Sequence, residues 1–501
     1  MLDHYKQLLE TANVSLVSKK TPLDKLSQLS LRCNNSIYLK REDLQSIFSF
    51  KCRGAFNRIN HLSQAEKEKG IIAASAGNHA QGVALAAQKL KLNAIIVMPT
   101  TTPSIKVNTV KRLGANVILY GDSFDDACEH ALKIKEKQDM TFIHPYDDPY
   151  VIAGQGTIGI ELMNQLDSID SIYAPVGGGG LLAGLVASIK TIKPSISIIG
   201  VEPDNSNCLE VAMKANKRVI LDRVGIFADG VAVKQIGKHN FELIKPHIEK
   251  VITVSIDEIC AAIKDIFDET RSITEPAGAL ALAGLKKDIE KRKLKNKTLV
   301  TINSGANTNF DRLRHIAERA DIGEEKEALF AVTIPEQPGS FKEFCNLIGK
   351  QSITEFNYRL SDPINAHIFV GIELKKGKKE ASNIFNLIKK HFKIENLTDN
   401  ELAKIHIRHM VGGRNNRIKN ERLFRFQFPE RPGALMEFLN GLGSHWNISL
   451  FHYRNHGAAY GRVLVGLEVP DHEAKSLVTY LTNIGFWFED ETNNPAFKHF
   501  L

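Results

Sequence analysis

Three short segments rich in glycine and small polar residues close β-branched runs, and one lysine stands beside two phenylalanines. These are the places where the chain could do chemistry. The first is Ser75-Ala76-Gly77-Asn78-His79, which follows GIIAAS (70–75) and leads into AQGVALAAQKL. Backbone N–H groups at the start of such a helix favour an anion, for example a carboxylate. Asn78 can both donate and accept. The plainer reading is a strand–helix turn with a cap. The second is Gly177-Gly178-Gly179-Gly180-Leu181, between SIYAPV and LLAGLVASIK. Four glycines remove every Cβ, so the backbone can close around a phosphate. Gly178, Gly180 and Ala183 also fit the dinucleotide fingerprint, with Glu202 ending the next strand, so a nicotinamide cofactor stays open here. The third is Asn303-Ser304-Gly305-Ala306-Asn307, after TLVTI. Ser304 would present a hydroxyl at the sheet edge, and a cap is its plainer role.

Lys51 lies in Ser49-Phe50-Lys51-Cys52-Arg53-Gly54-Ala55, with Phe48 just before and an amphipathic helix after. A lone lysine is ordinarily a solvated charge. This context marks one that is partly sheltered.

The elements that must position these residues are legible as a rhythm. SIYLK (36–40), GIIAAS (70–75), AIIVMP (94–99), NVILY (116–120), SIYAPV (171–176), SIIGVE (197–202) and TLVTIN (298–303) read as buried strands without polar alternation. Helix signals lie between them: Thr102 as N-cap, Pro103 in the first turn and Gly114 as the stop bound one helix. Strand–helix alternation predicts an α/β fold with a mostly parallel sheet, whose ligands sit where strands end. Past residue 320 the texture changes. The charged DIGEEKEA (321–328) reads as a linker. LFAVTIPEQPGSFKEFCNLI (329–348) then matches LFRFQFPERPGALMEFLNGL (423–442), and FNYR, IFVGIEL match FHYR, VLVGLEV. The pattern predicts two β-α-β-β-α-β units.

A chain of 501 residues exceeds one ordinary core. No apolar run reaches the ~20 residues that span a bilayer. The start, MLDHYKQLLETANVSL, lacks the features of a signal peptide. Cys33, Cys52, Cys128, Cys208, Cys260 and Cys345 are scattered singly, which predicts reduced thiols. The net charge of +8 is dispersed, and its densest run (286–297) is broken by Asp288 and Glu290, with no interleaved aromatics. A nucleic-acid partner is not expected.

In this order, TPL (21–23), KRED (40–43), SFKCRGA (49–55), SAGNHAQGVA (75–84), GGGGL (177–181), EPAGA (275–279) and NSGAN (303–307) resemble the fold-type II pyridoxal-phosphate enzymes, and among them the biosynthetic threonine dehydratases. The resemblance covers nearly the whole chain. It implies two open, twisted, mostly parallel α/β subdomains (1–320), a linker (321–328) and two α+β ferredoxin-like, ACT-like regulatory domains (329–411 and 421–495). It implies pyridoxal 5'-phosphate held covalently by Lys51. Asn78 would meet the ring's phenolic oxygen. Gly177, Gly178, Gly179, Gly180 and Leu181 would cradle the phosphate, which displaces the nicotinamide alternative. Ser304 would face the pyridine nitrogen, and Ser75, Ala76, Gly77 and Asn78 would hold the substrate carboxylate. The implied reaction is a lyase reaction, β-elimination from L-threonine to 2-oxobutanoate and ammonia, which opens isoleucine biosynthesis. Lys51 would be the base. Ala76 stands where related serine racemases carry a second base, so feeble racemisation is expected. Those relatives hold a divalent cation; Glu202 matches one ligand, but Cys208 stands at another, so no metal is expected. Pro338, Gly339, Pro432 and Gly433 would line effector sites for isoleucine, the inhibitor, and valine, the activator. A cytoplasmic homotetramer without membrane contact is implied. The competing readings are a serine dehydratase or another enzyme of this fold, and a non-catalytic amino-acid sensor.

Overall fold

Every apolar run named above becomes a strand, because β-branched side chains suit a pleated surface; NVILY, at a sheet edge, is not buried as expected, with Leu119 and Tyr120 exposed. The computed structural model describes residues 1–501 except 101, 103, 122–123, 311, 338, 350, 360–363, 406, 411–417, 419, 430–432, 443–445, 455–459, 495–496 and 498–501. It divides into Met1–Ala320 and Asp321–Leu501.

The first unit contains β1 (Leu23–Lys25), β2 (Ser36–Arg41), β3 (Ile71–Ala74), β4 (Ala94–Met98), β5 (Asn116–Leu119), β6 (Thr141–Phe142), β7 (Ser171–Pro175), β8 (Ser197–Pro203), β9 (Lys250–Val254) and β10 (Thr298–Asn303). They form a six-stranded sheet, β1-β2-β10-β7-β8-β9, and a four-stranded sheet, β5-β4-β3-β6. β1 runs antiparallel to β2. The other pairs in both sheets are parallel. The fold class is therefore the expected one, with the strands shared between two sheets. Helices Pro149–Gln165 and Gly180–Ile192 pack at glycines: a Cβ on Gly184 would lie 2.6 Å from the Gly156 nitrogen. Only glycine permits that approach.

The helix Lys51–Asn60 is fastened by charge. Arg53 is fully buried; its Nε donates to Glu42 Oε2 at 2.9 Å and its guanidinium meets Glu161 Oε1 at 2.7 Å. Lys40, also fully buried, donates to Glu161 Oε2 at 2.5 Å and to the Thr21 carbonyl at 2.9 Å. The KRED and TPL segments are thus the counter-charges and clamps of the helix that begins at Lys51.

The second unit holds β11 (Glu327–Pro335), β12 (Ile353–Arg359), β13 (Asn365–Glu373), β14 (Lys393–Asn396), β15 (Glu421–Pro429), β16 (Asn447–Arg454), β17 (Tyr460–Glu468) and β18 (Trp487–Asp490). They form one sheet in the order β14-β11-β13-β12-β16-β17-β15-β18. Each half is a β-α-β-β-α-β repeat, with helices Ser340–Ile348 and Gly377–Lys389 in the first and Ala434–Leu442 and Ala474–Ile484 in the second. The repeats join edge to edge through β12 and β16.

Two expectations change. Residues 321–328 are the end of helix Arg312–Gly323 and the start of β11 rather than an open linker. Charge density misled here, because Glu327 is buried against Thr354 and Arg408. At the helix Ser104–Arg112, Thr102 Oγ1 makes no hydrogen bond, so it does not cap the helix; Pro103 lies outside the described residues.

Replacing Arg53 by alanine leaves the fully buried Glu42 without the guanidinium that pairs with it, while Glu161 keeps Lys40. Breaking a buried pair in this way costs about 3–5 kcal/mol. Urea denaturation of Arg53→Ala should show a lower midpoint, and an unchanged midpoint would show that the network does not fasten this helix.

Candidate active site

Lys51 is the first residue of its helix, and its Nζ donates to the Pro145 carbonyl at 2.8 Å. It is half-buried, with some accessible surface left to it. Burial pulls its pKa down to about 8, and only the Glu275 carboxylate works against that. Two histidines close by stay neutral. Burial pushes His79 down to about 3, with the charge of Lys51 adding to the effect, and burial lowers His144 as well.

The segment leading to Lys51 is stitched to the third loop. Asn307 Nδ2 donates to the Ile47 carbonyl at 2.9 Å, the Ala306 N–H to Phe48 at 2.8 Å and the Phe50 N–H to Ser304 at 3.2 Å. Phe48 takes φ +56°, a left-handed backbone costing an aromatic residue about 1–3 kcal/mol. Ser304 is buried beside Lys51's segment, and its hydroxyl donates to the Ala277 carbonyl at 3.2 Å.

The first loop leaves β3 and enters helix Asn78–Leu90. Ser75 Oγ accepts from the Gly77 N–H at 3.2 Å, which shapes the turn. No side chain caps that helix start. Ala76, Gly77 and Asn78 are half-buried around it. Asn78 Nδ2 donates to Glu275 Oε1 at 2.7 Å, and Asn307 Nδ2 donates to Asn78 Oδ1 at 2.7 Å. Glu275 is buried and its pKa is pushed up to about 7, by burial first and by Asp229 second.

The glycine loop opens helix Gly180–Ile192, with Gly179 at φ +93°. A Cβ on Gly178 would lie 2.3 Å from the Tyr146 ring, and one on Gly177 2.8 Å from Val231 Cα. Asn240 Nδ2 ties Gly178 to Tyr146, donating to their carbonyls at 2.7 and 3.1 Å. Leu181 turns its side chain into the core and offers only its backbone. Lys51, Asn78, Ser304 and the glycine loop thus meet at the carboxyl ends of the strands, linked through Pro145 and Tyr146.

Sequence reasoning missed that linking segment, 144–148. It follows β6, which at two residues leaves no periodicity to read. It also gave Glu275 no role, although EPAGA stood out. Glu202 serves locally: it accepts the Leu209 and Glu210 N–H groups, both at 2.8 Å, and Cys208 Sγ lies 3.7 Å away. Among the described residues no group of three or more His, Cys, Asp or Glu could hold a metal.

A second candidate site lies in the other unit. Gly339, at φ +97°, precedes the helix Ser340–Ile348 and borders a cleft lined also by Phe341, Tyr358, Leu439 and Trp446. Ser340 is 3% exposed, and its hydroxyl has no partner. Gly433 takes φ +92° at the matching place in the second repeat. Pro338 and Pro432 lie outside the described residues.

Residues 14–305 match the family described as pyridoxal-phosphate dependent enzyme. Residues 318–407 and 412–501 each match the C-terminal regulatory domain of threonine dehydratase. A protein of Burkholderia multivorans named L-threonine dehydratase biosynthetic IlvA is 50% identical over 100% of this chain and 99% of its own. Its Escherichia coli namesake is 49% identical, over 99% and 97%. The processed form of threonine deaminase isoform 2 from Solanum lycopersicum superposes with a TM-score of 0.63 at 47% identity, over 64% of this chain and 93% of that one. Maize serine racemase gives 0.59 at 30%, over 63% and 95%.

A lysine amine reacts only when neutral, and the neutral fraction rises through the pKa. Reductive methylation of the cofactor-free chain should therefore modify Lys51 half-maximally near pH 8. Exposed lysines need a pH near their ordinary ~10.4. Peptide mass spectrometry across pH reads this, and a Lys51 profile matching the surface lysines would refute its desolvation.

Proposed function

The chain belongs to the pyridoxal-phosphate-dependent enzymes, and within them to the threonine dehydratases with a doubled C-terminal regulatory domain, and from that premise we propose how its residues act. It is a lyase that converts L-threonine to 2-oxobutanoate and ammonia with pyridoxal phosphate as cofactor. The observation that carries the residue roles is the meeting of a desolvated lysine with a glycine-only helix start through Pro145 and Tyr146. The donor set fits the cofactor: an amine for its aldehyde, backbone N–H groups with room for no Cβ for its phosphate, Asn78 for its phenolic oxygen and the Ser304 hydroxyl for its ring nitrogen. Bound there, the cofactor supplies a sink for the electron pair left on the substrate Cα.

The protein's part is positioning and proton transfer. Lys51 would hold the cofactor at rest through its amine, and once free that amine is the group placed to act as base. Its neutral amine then removes the Cα proton, and its lowered pKa keeps that form available near neutrality. The uncapped helix start at 75–78 holds the substrate carboxylate. The β-hydroxyl takes up one proton and departs as water, balancing the proton lost from Cα, and the enamine that results tautomerises and hydrolyses to 2-oxobutanoate and ammonia. Ala76 brings no ionisable group to its side of the site, so Lys51 acts alone. Ser304 carries no charge to hold the ring nitrogen protonated, which favours elimination over transamination.

The second unit binds amino-acid effectors, isoleucine as inhibitor and valine as activator. The helix start at Ser340, with its unpartnered hydroxyl, suits an effector carboxylate. Phe341, Leu439 and Trp446 suit an aliphatic side chain. A homotetramer in the cytoplasm belongs to the same reading. Its six free cysteines suit a reducing compartment. No helix among the described residues is long and apolar enough to cross a membrane.

Steady-state assay with threonine should show ammonia and 2-oxobutanoate released and the rate suppressed by isoleucine. Lys51→Ala should lose both turnover and the visible band of bound cofactor; retention of turnover would reject Lys51 as the base. Ser304→Asp should raise transamination relative to elimination, and an unchanged ratio would reject its role. Ser340→Ala removes a hydrogen bond to a charged group, worth about 1.5–3 kcal/mol. Half-inhibition should then need roughly 10–100-fold more isoleucine, with the uninhibited rate unchanged. An unshifted inhibition curve would place the effector elsewhere.

A further inference from the structure

Glu275 touches none of the groups assigned above except Asn78, and it is buried without a cation bonded to it among the described residues. The bond it makes decides something an asparagine cannot decide alone. A side-chain amide can turn over, exchanging its carbonyl for its NH2 at nearly equal volume. Here the two ends are fixed from outside. Asn307 Nδ2 donates to the Ile47 backbone carbonyl, which can only accept, so Asn307 has one permitted orientation. Its remaining hydrogen goes to Asn78, which must answer with Oδ1, at 2.7 Å. Asn78 Nδ2 therefore faces Glu275, an acceptor at 2.7 Å. The backbone N–H of Asn307 also lies near that carboxyl and favours its ionised form. One hydrogen of Asn78 Nδ2 is left over.

We propose that Glu275 is a positioning residue: with Asn307 it fixes the amide of Asn78 so that a donor, and never the carbonyl, is turned toward the cofactor's phenolic oxygen. The proposal rests on the reading of Asn78 given above. A carbonyl turned to that oxygen would repel it when it is ionised; a donor stabilises it. The charged groups facing Glu275 are Lys51 from helix Lys51–Asn60, Lys106 from helix Ser104–Arg112 and Asp229 from the turn Asp229–Val231. Of these, Lys106 is itself paired with Asp229 at 2.8 Å.

The test compares Glu275→Ala, Glu275→Gln and Asn307→Ala holoenzymes with the parent chain by visible absorption of the bound cofactor across pH, beside kcat and KM. Glu275→Ala should shift the midpoint of that titration and lower kcat at least tenfold. Glu275→Gln retains an acceptor and should lie nearer the parent in both. Asn307→Ala should shift the midpoint in the same direction, and the double substitution should shift it by less than the sum, because both act on one amide. If Glu275→Ala fails to fold by circular dichroism, Asn307→Ala decides. A parent titration curve kept by the folded alanine variants, with cofactor bound, overturns the proposal. Absence of a visible band in the parent chain overturns the reading of the site itself.

Discussion

Keeping an amine charged away from water is costly unless an anion answers it, and for Lys51 the Glu275 carboxylate answers only from a distance and only in part. Its Nζ reaches one backbone carbonyl, and it forms no ion pair among the described residues. The result is an amine that gives up its proton near pH 8, where the surface lysines are still ammonium ions. That single condition serves both tasks proposed for the residue. A neutral amine can add to an aldehyde, and a neutral amine can accept a proton from carbon. The surroundings do not spoil the condition. His79 and His144 are neutral, and Glu275 is itself held close to its protonated form by burial.

Two residues further along the same helix, burial has the opposite consequence. Arg53 is as inaccessible as any side chain in the protein, yet it remains ionised because Glu42 and Glu161 enclose it. Glu42, fully buried, is pulled below the ordinary carboxylate range by Arg53. Depth alone therefore does not set the chemistry. The partner does: the helix is anchored where its buried charge is matched and reactive where it is not. The anchor also fixes the backbone from which Lys51 springs, while the amine itself is held only by its bond to the Pro145 carbonyl.

How much of this could be read from the chain follows from the range over which each feature is decided. Runs such as AIIVM and SIIGVE carry their own signal, since β-branched residues in sequence favour a covered strand whatever lies elsewhere. The glycine loop was equally plain, but its cargo was not. A phosphate cradle and a dinucleotide turn share the same glycines, and the family resemblance, not the spacing, separated them. Thr141 and Phe142 form a strand only because β3 lies beside them, at Ile71 and Ile72. The segment after them, 144–148, looks like an ordinary turn ahead of a Pro-initiated helix. Its contact with Lys51 spans 94 residues. Glu275 is hidden for the same reason: its partner Asn78 is 197 residues away. Charge was the misleading signal at 321–328, where acidic residues suggested solvent and Glu327 instead meets Thr354 and Arg408 in the interior.

Regulation needs two arrangements of the second unit that an effector can tell apart, since a ligand shifts an equilibrium only by its difference in affinity for the two states. The sheet suggests where such a difference can arise. Within the first repeat β11 and β13 align over nine residue pairs, from Glu327↔Glu373 to Pro335↔Asn365. Across the join, β12 and β16 align over only five, from Glu355↔Arg454 to Arg359↔Leu450. The join is therefore held by fewer pairings than the central strands of the first repeat. It is also lined by buried charge: Arg408 donates to Glu355 Oε2 at 2.7 Å, and Arg359 pairs with Glu421. A small slip would leave such charges unmatched, which is strongly unfavourable. A seam with few hydrogen bonds to lose and no tolerance for partial displacement moves in whole steps or not at all. An effector lodged beside it, between Ser340 of one repeat and Trp446 of the other, needs only to prefer one of those steps. By linkage, whatever factor an effector imposes on threonine binding, threonine imposes on that effector in return.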